Sequence, residues 1–266
     1  MSRPKRILIY LGIVVTVGGF YLWFFGEQTV SAIVVRYGSR KIPGLSKAPA
    51  PLPDLTVSPV PHKRLSYFGY EFELPWDDVD EQKDKMYAQK DKTFNTVHVT
   101  FFRSGNAFWF STFPSKNFIN ELMKDARLNP QKFVQRFGQE AFESDYNFNR
   151  LLLQATPSQV TPFVSRNRAT QLQYLVMIKA MSIPNAGSGI FDIETDGFQG
   201  FQFENPAMRP SRITVYLYSD TGGVDLIFLQ KIDGTAPAIS QAEINRVIQS
   251  LHKVPATTLA STEAAK

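Results

Sequence analysis

The sequence has 266 residues, of which 43% are hydrophobic and 20% charged, a composition typical of a globular protein and too apolar for a disordered chain. The formal net charge is +5, but three of the 29 bases lie in residues 1–25 without any acid, so the other 26 bases face 24 acids. A remainder of +2 excludes the basic footprint of a nucleic-acid-binding protein. The absence of cysteine excludes disulfides, thiolate metal sites and cysteine nucleophiles.

An uncharged apolar run at residues 7–25 predicts a single transmembrane helix, since its nineteen residues suffice for about 30 Å of hydrocarbon. Bases precede this run in residues 1–6, whereas the first charge after it is the acid Glu27. By the positive-inside rule, residues 1–6 form a cytoplasmic tail, and the residues after the transmembrane helix lie on the extracytoplasmic side of the inner membrane.

A cleaved signal peptide is the alternative interpretation of the same segment. Val30 and Ala32 have the small-residue spacing that a signal peptidase accepts. The apolar run is longer than the usual signal core, and it ends in the bulky residues 20–25. Both features favour retention as a membrane anchor.

Composition then divides the remainder into a proline-rich linker at 26–62, a soluble domain at 63–255 and a disordered tail at 256–266. Six prolines between residues 43 and 61 predict an extended, unpaired segment.

Period-two alternation predicts strands in the soluble domain, at 67–74, 95–102, 107–112, 189–195, 198–203, 212–218 and 224–232. Turns containing Gly105, Gly197 and Gly222 join neighbouring strands, which predicts hairpins and hence an antiparallel sheet.

Ser or Asn at the start of apolar-periodic segments predicts helices, at 115–125, 129–139, 144–155 and 240–253. Segment 171–181 is compatible with a strand or a helix, and we expect a helix. The last helix opens with a capping box of Ser240 and Glu243, and its apolar stripe is expected to lie on the sheet. The fold class is therefore α+β, an antiparallel sheet packed by helices and preceded by one transmembrane helix.

The stretch Gly69-Tyr70-Glu71-Phe72-Glu73-Leu74-Pro75-Trp76 resembles the opening strand of PsbP-like domains, and the closing segment 248–251 is similar to their last helix. The resemblance implies a sandwich of an antiparallel sheet between helices, in a family of mostly binding and assembly factors without a shared catalytic centre. The chain as a whole also resembles membrane-anchored bacterial proteins, a likeness that implies no function.

The triplet Asp220-Thr221-Gly222 is the motif that presents the catalytic aspartate of aspartic proteases. Fewer than fifty residues follow it, and the same letters are typical of a hairpin turn. A hydrolase that uses Asp220 is therefore an alternative hypothesis.

Residues 192–197 match the first half of a calcium loop, with Asp192, Glu194 and Asp196 as oxygen ligands. Position twelve is Phe203, so the bidentate carboxylate is missing, and Asp196-Gly197 is a strong hairpin signal. A calcium-dependent module is a second alternative.

The other candidate groups have simpler structural explanations. They are the histidines His62, His98 and His252, the Ser250 and Lys253 pair, the Arg166 and Arg168 pair, the loop at Gly187-Ser188-Gly189 and the acidic cluster of Asp77, Asp78, Asp80, Glu81 and Asp84. Ser250 and Lys253 have the Ser-x-x-Lys spacing of a nucleophile pair, but a lysine at a helix end normally complements the helix dipole. None of the other groups has the spacing of a metal or nucleotide site. We therefore assign no catalytic, cofactor-binding or metal-binding residue.

These features together predict a membrane-anchored extracytoplasmic binding or assembly module without catalytic activity and without a cofactor. Its expected partners are the membrane, through residues 7–25, and another envelope protein rather than a nucleic acid.

Overall fold

The structure is a computed structural model that describes residues 3–60, 63–76, 97–103, 105–125, 127, 129–182, 189–205, 209–232 and 237–254. The chain divides into two units. The helical unit comprises Met1–Ala48 and Leu151–Ile183, and the sheet unit comprises Pro49–Arg150 and Pro184–Lys266.

Seven helices are described, with the bounds α1 Arg3–Ser39, α2 Asn117–Asp125, α3 Pro130–Phe137, α4 Gln139–Glu143, α5 Asp145–Gln154, α6 Arg166–Ser182 and α7 Gln241–Ser250. The described strands are β1 Ala50–Pro51, β2 Arg64–Tyr67, β3 Tyr70–Glu73, β4 Val97–Arg103, β5 Asn106–Pro114, β6 Gly189–Thr195, β7 Phe198–Asn205, β8 Ser211–Ser219, β9 Gly222–Gln230 and β10 His252–Lys253. Short 3-10 turns occupy Pro43–Ser46 and Pro157–Gln159.

In the helical unit, α1 packs against α6. The ring of Phe25 meets that of Phe163 edge to face at 5.9 Å, and Arg166 forms a 2.6 Å ion pair with Glu27. The helix α1 continues past residue 25 to Ser39. The first part of the predicted linker, up to Ser39, is therefore helical.

Among the described residues, no helix combines the length and the apolarity that crossing a membrane requires. The side chains of residues 1–15, 20, 22 and 24, on which most of the predicted anchor rests, lie outside the described part.

The sheet unit contains a seven-stranded mixed sheet in the order β1-β6-β7-β8-β9-β5-β4. Every neighbouring pair is antiparallel except β1 with β6, which is parallel. A smaller antiparallel sheet has the order β10-β3-β2. The predicted α+β class is confirmed, while the purely antiparallel sheet is corrected to a mixed one.

The first face of the large sheet forms the core with the small sheet and α7. Phe72 of β3 stacks on Phe110 of β5 at 4.4 Å, and the predicted stripe of α7 is buried here at Ile244, Val247 and Ile248. Burying aromatic rings of this size contributes much of the stability of such a core.

The predicted strands between residues 107 and 232 are confirmed, as are the helices at 115–125, 144–155 and 171–181. The predicted strand at 67–74 is instead a hairpin, because Phe68 and Gly69 adopt positive φ angles of 53° and 80° and reverse the chain. The predicted helix at 129–139 breaks at Gly138, which has a φ of 95°.

Two further predictions are wrong at the ends of the sheet unit. The helix predicted at 240–253 ends at Ser250, because Leu251 is extended and His252–Lys253 pairs with β3. The middle of segment 43–61 is paired rather than free: Ala50–Pro51 joins β6, and Asn245 donates to the carbonyls of Asp54 and Thr56 at 2.9 and 2.8 Å. Proline removes N–H donors but leaves every carbonyl available as an acceptor.

Candidate binding cleft

Two hairpin turns lie at the same end of the large sheet. Strands β6 to β9 are adjacent in order and antiparallel, so the β6–β7 turn at Asp196-Gly197 and the β8–β9 turn at Asp220-Thr221 come out side by side. Gly197 and Gly222 have φ angles of 86° and 146°, which glycine adopts without strain. The glycine signals in the sequence thus position both turns.

The connection from β5 to α2 reaches the same end, because Pro114 of β5 pairs with Gly222 of β9. Asp145, the first residue of α5, accepts hydrogen bonds at 3.0 Å from the backbone N–H groups of Phe118 and Ile119 in the first turn of α2. This carboxylate fixes the junction of α4 and α5 beside the two turns. Ser144 and Tyr146 are placed there as a result.

The short strand β10 completes the site from the other side. The ammonium of Lys253 donates to the Thr221 hydroxyl at 2.8 Å, which ties β10 to the β8–β9 turn. His252 lies 3.3 Å from the carboxylate of Glu71.

These segments enclose an open cleft of about 870 Å³. Carboxylates dominate the charged groups among the described residues that line it, which include Glu143, Glu194, Asp196 and Asp220 but a single ammonium, that of Lys253. Within the described part of the chain, none of the four carboxylates belongs to an ion pair. The cleft therefore carries uncompensated negative charge that complements a cationic group.

Aromatic side chains form one wall of the cleft. Tyr146 stacks on Phe201 at 5.4 Å, and Asn149 donates to the Tyr218 hydroxyl at 3.2 Å. Burial raises the pKa of Tyr218 well above its ordinary value, and burial also raises the pKa of Tyr146. Both phenols therefore stay neutral and offer hydrogen bonds and apolar surface rather than charge.

Asp220 occupies the exposed tip of the two-residue turn between β8 and β9. The Asp-Thr-Gly triplet thus forms a hairpin turn, whose hydroxyls Ser219 and Thr221 lie 3.5 Å apart. The structure brings Asp220 to the same cleft as Glu194 and Asp196, a proximity that the sequence does not show.

Residues 192–197 form strand β6 and its turn rather than a calcium loop. Glu194 and Asp196 line the cleft, while Asp192 does not. Across the residues that the structure describes, no group of three or more carboxylates or histidines is close enough to hold a metal ion.

The remaining sequence candidates have structural partners. The ring of His98 lies 4.3 Å from that of Trp109, Ser250 accepts from the backbone N–H of Glu73 at 2.8 Å, and Arg168 donates to Gln171 at 2.5 Å. His62, the acidic cluster at 77–84 and Gly187-Ser188 lie outside the described residues.

Asp225, on β9, is a polar group that the sequence interpretation missed. Burial raises its pKa to about 7, and its buried Oδ1 atom has no hydrogen-bond partner among the described residues. The only sign of this group in the sequence is a carboxylate inside the apolar strand Gly222–Gln230. Because side chains alternate along a strand, Asp225 lies on the opposite face of the sheet from Val224 and Leu226.

No protein-family model, curated protein or solved structure matches this chain.

Proposed function

We propose that the protein is a membrane-anchored, extracytoplasmic binding or assembly module without catalytic activity, and that the cleft receives a cationic segment of another envelope protein. The four carboxylates of the cleft, which form no ion pair with any residue that the structure describes, carry this proposal. A basic peptide segment would neutralise them while its side-chain stems pack against Tyr146 and Phe198.

The anchor belongs to the same proposal. Residues 7–25 would hold the chain in the inner membrane, with the N-terminus in the cytoplasm and the cleft on the outer side. The finer likeness to a PsbP-like sandwich also belongs here. It is supported by the position of the resembling stretch, whose residues 70–73 form β3 at the core.

The test uses the full-length tagged protein, purified from detergent-solubilised membranes after cross-linking. A triple variant, Glu194→Gln, Asp196→Asn and Asp220→Asn, removes three charges of the cleft, and Glu140→Gln removes one exposed charge of α4 that does not line it. We expect wild type and Glu140→Gln to recover one envelope partner that the triple variant loses.

A lysine tetrapeptide serves as a defined probe for the same site. It should bind wild type with an affinity that falls steeply with salt, because exposed charges are screened. If the triple variant binds the peptide and the partner as well as wild type does, the cleft is not the binding site. Failure of wild type to bind either would refute the binding function.

Asp220 supports the second candidate, a membrane-anchored hydrolase, because its carboxylate lies at the tip of a turn that lines the cleft. Hydrolysis by this group would be lost in Asp220→Asn and kept in Glu140→Gln. A hydrolytic activity that survives Asp220→Asn would show that Asp220 is not its catalytic group and would reject the hydrolase that uses Asp220.

A further inference from the structure

The loop at residues 161–165, which leads into α6, carries a large apolar side chain in an exposed position. Phe163 is 77% exposed, and Arg166, the first residue of α6, is exposed as well. Single exposed apolar residues are common on protein surfaces, so exposure alone indicates no function. The neighbours of this loop in the helical unit are therefore what indicates its partner.

Two contacts fix the loop beside the end of the apolar run 7–25. The ring of Phe163 meets the ring of Phe25, the last residue of that run, with centroids 5.9 Å apart. Slightly further along α1, the carboxylate of Glu27 forms a 2.6 Å ion pair with Arg166. A helix rises about 1.5 Å per residue, so Phe25 and Glu27 are only about 3 Å apart along the axis of α1. The loop therefore lies at the level where the apolar run ends.

The helix α6 extends from this level away from the apolar run. Its first residue, Arg166, pairs with Glu27 of α1. Near its other end, the ammonium of Lys179 donates to the carbonyl of Lys47 at 2.6 Å, beyond the end of α1 in the chain. The start of α6 and the preceding loop thus lie next to the apolar run, and the end of α6 does not.

The helical unit is basic outside the apolar run, in contrast to the sheet unit. Residues 26–48 and 151–183 contain seven bases and the single acid Glu27, whereas the sheet unit contains 19 bases and 23 acids. Near the loop, Arg166 pairs with Glu27, and the exposed Arg168 forms no ion pair with any residue that the structure describes. A positive surface of this kind is attracted to anionic phospholipids.

We propose that segment 161–168 is a second membrane contact of this chain, for anionic phospholipids. Phe163 inserts at the boundary between acyl chains and headgroups, where aromatic side chains are stable, and Arg168 binds a lipid phosphate. Arg166 neutralises Glu27, which anionic headgroups would otherwise repel. The proposal rests on the proposed anchor at residues 7–25, which would bring the segment to the bilayer, and it does not involve the cleft.

The test places one nitroxide label on the full-length protein, reconstituted in vesicles of phosphatidylcholine and phosphatidylglycerol. The chain lacks cysteine, so a single introduced cysteine is labelled selectively. Asn167→Cys labels the exposed first turn of α6 and keeps Phe163 and both arginines, Met181→Cys labels the exposed far end of α6, and Val17→Cys labels the apolar run. Collisions with oxygen, which concentrates in the bilayer, and with a water-soluble nickel chelate report the depth of each label. We expect the label at position 167 to be protected from the chelate and the label at position 181 to be accessible to it.

Two substitutions in the Asn167→Cys background test the two parts of the contact. The two components of the nitroxide spectrum give the ratio of immersed to water-exposed segment. Phe163→Ser should lower this ratio by about tenfold or more, since the bilayer no longer receives a ring. Arg168→Gln should lower it by about fivefold, and should have no effect in vesicles of phosphatidylcholine alone. Lys41→Gln, which removes an exposed base of the same unit, is the matched control and should leave the ratio unchanged.

The labels separate failure of this contact from failure of the anchor. A label at position 167 that is as accessible to the chelate as the label at position 181, while the label at position 17 is protected, would overturn the proposal and leave the anchor intact. Access of the chelate to position 17 would refute the anchor and this proposal together. Protection at position 167 that survives both substitutions unchanged would assign it to a contact with a second copy of the chain and would also overturn the proposal.

Discussion

The Oδ1 atom of Asp145 accepts a hydrogen bond at 3.0 Å from the backbone N–H of Ile119, which lies 26 residues earlier in the chain. The first N–H groups of a helix have no partner within it, so this carboxylate acts as the cap of α2. Lys116, which precedes the helix, has a φ of 56°. One group therefore joins α2 to α5 and sets the geometry of the cleft.

Replacing this cap should destabilise the protein. We expect Asp145→Ala to lower the free energy of unfolding by about 1–3 kcal/mol, because two N–H groups, one buried and one partly buried, lose their acceptor. Asp145→Asn should lose less, since an amide oxygen still accepts. Urea unfolding followed by circular dichroism measures the difference, with Glu140→Ala as an exposed control. Equal midpoints for Asp145→Ala and the control would show that Asp145 does not act as a cap.

Glu73 of β3 is held by two arginines of unequal importance. Arg246 of α7 binds its carboxylate and also donates to the Ser58 carbonyl at 3.0 Å, whereas Arg64 approaches it at 3.2 Å with a side chain that is 59% exposed. We expect Arg246→Met to lower the free energy of unfolding by about 2 kcal/mol or more, and Arg64→Met by less than about 1 kcal/mol. Thermal and urea unfolding of the two variants provide the comparison. Similar losses of unfolding free energy in the two variants would show that the buried pair with Arg246 is no more stabilising than the exposed pair with Arg64.

The same carboxylate predicts a pH dependence of stability. Burial raises the pKa of Glu73, but hydrogen bonds from Arg246 and Arg64 and their charges outweigh it and hold the pKa below its usual value. In the unfolded chain the pKa is about 4.3, so the unfolded state binds more protons near that pH. The stabilisation is thus complete above that pH and is lost as the pH falls through the folded pKa.

Glu73→Gln should reduce the slope of the free energy of unfolding against pH in this acidic range. Urea unfolding of wild type and variant, measured at several pH values from neutral to acid, gives the two slopes. The Glu140→Gln control should keep the wild-type slope. If Glu73→Gln keeps the wild-type slope of the free energy of unfolding against pH, the loss of stability in acid comes from other carboxylates.

Local patterns in the sequence predict most of the sheet correctly. The alternation in residues 189–195 and the Asp196-Gly197 turn match β6 and its hairpin because both depend on neighbours in the chain. The same holds for α7, whose capping box of Ser240 and Glu243 is present. Local chemistry is sufficient wherever the partners are close in sequence.

The errors arise where the partners are distant. Ala50–Pro51 pairs with a strand about 140 residues away, and His252–Lys253 leaves the expected helix to pair with β3, so tertiary pairing overrides local propensity. The cleft cannot be predicted from the sequence for the same reason. Glu194 and Asp220 belong to two separate hairpins, and they line one cleft only because of the order of the strands in the sheet.

Lys179 of α6 is fully buried, and its Nζ donates to the carbonyls of Lys47, Leu153 and Ala155 at 2.6, 2.6 and 3.0 Å. Burial lowers its pKa to about 8, which leaves the amine mostly protonated at neutral pH, so that three donors meet three acceptors. Lys179→Met keeps the apolar stem but leaves three carbonyls without this donor.

We expect Lys179→Met to lower the free energy of unfolding by about 2–4 kcal/mol. The cost of leaving three carbonyls without a donor is larger than the gain from no longer burying a charge. The exposed Lys41→Met is the matched control and should change it by less than about 0.5 kcal/mol. Urea unfolding of the full-length protein in detergent gives both values. A variant as stable as wild type would mean that burying the ammonium costs as much free energy as its three hydrogen bonds contribute. Lys179 would then not stabilise the packing of residues 47, 153 and 155.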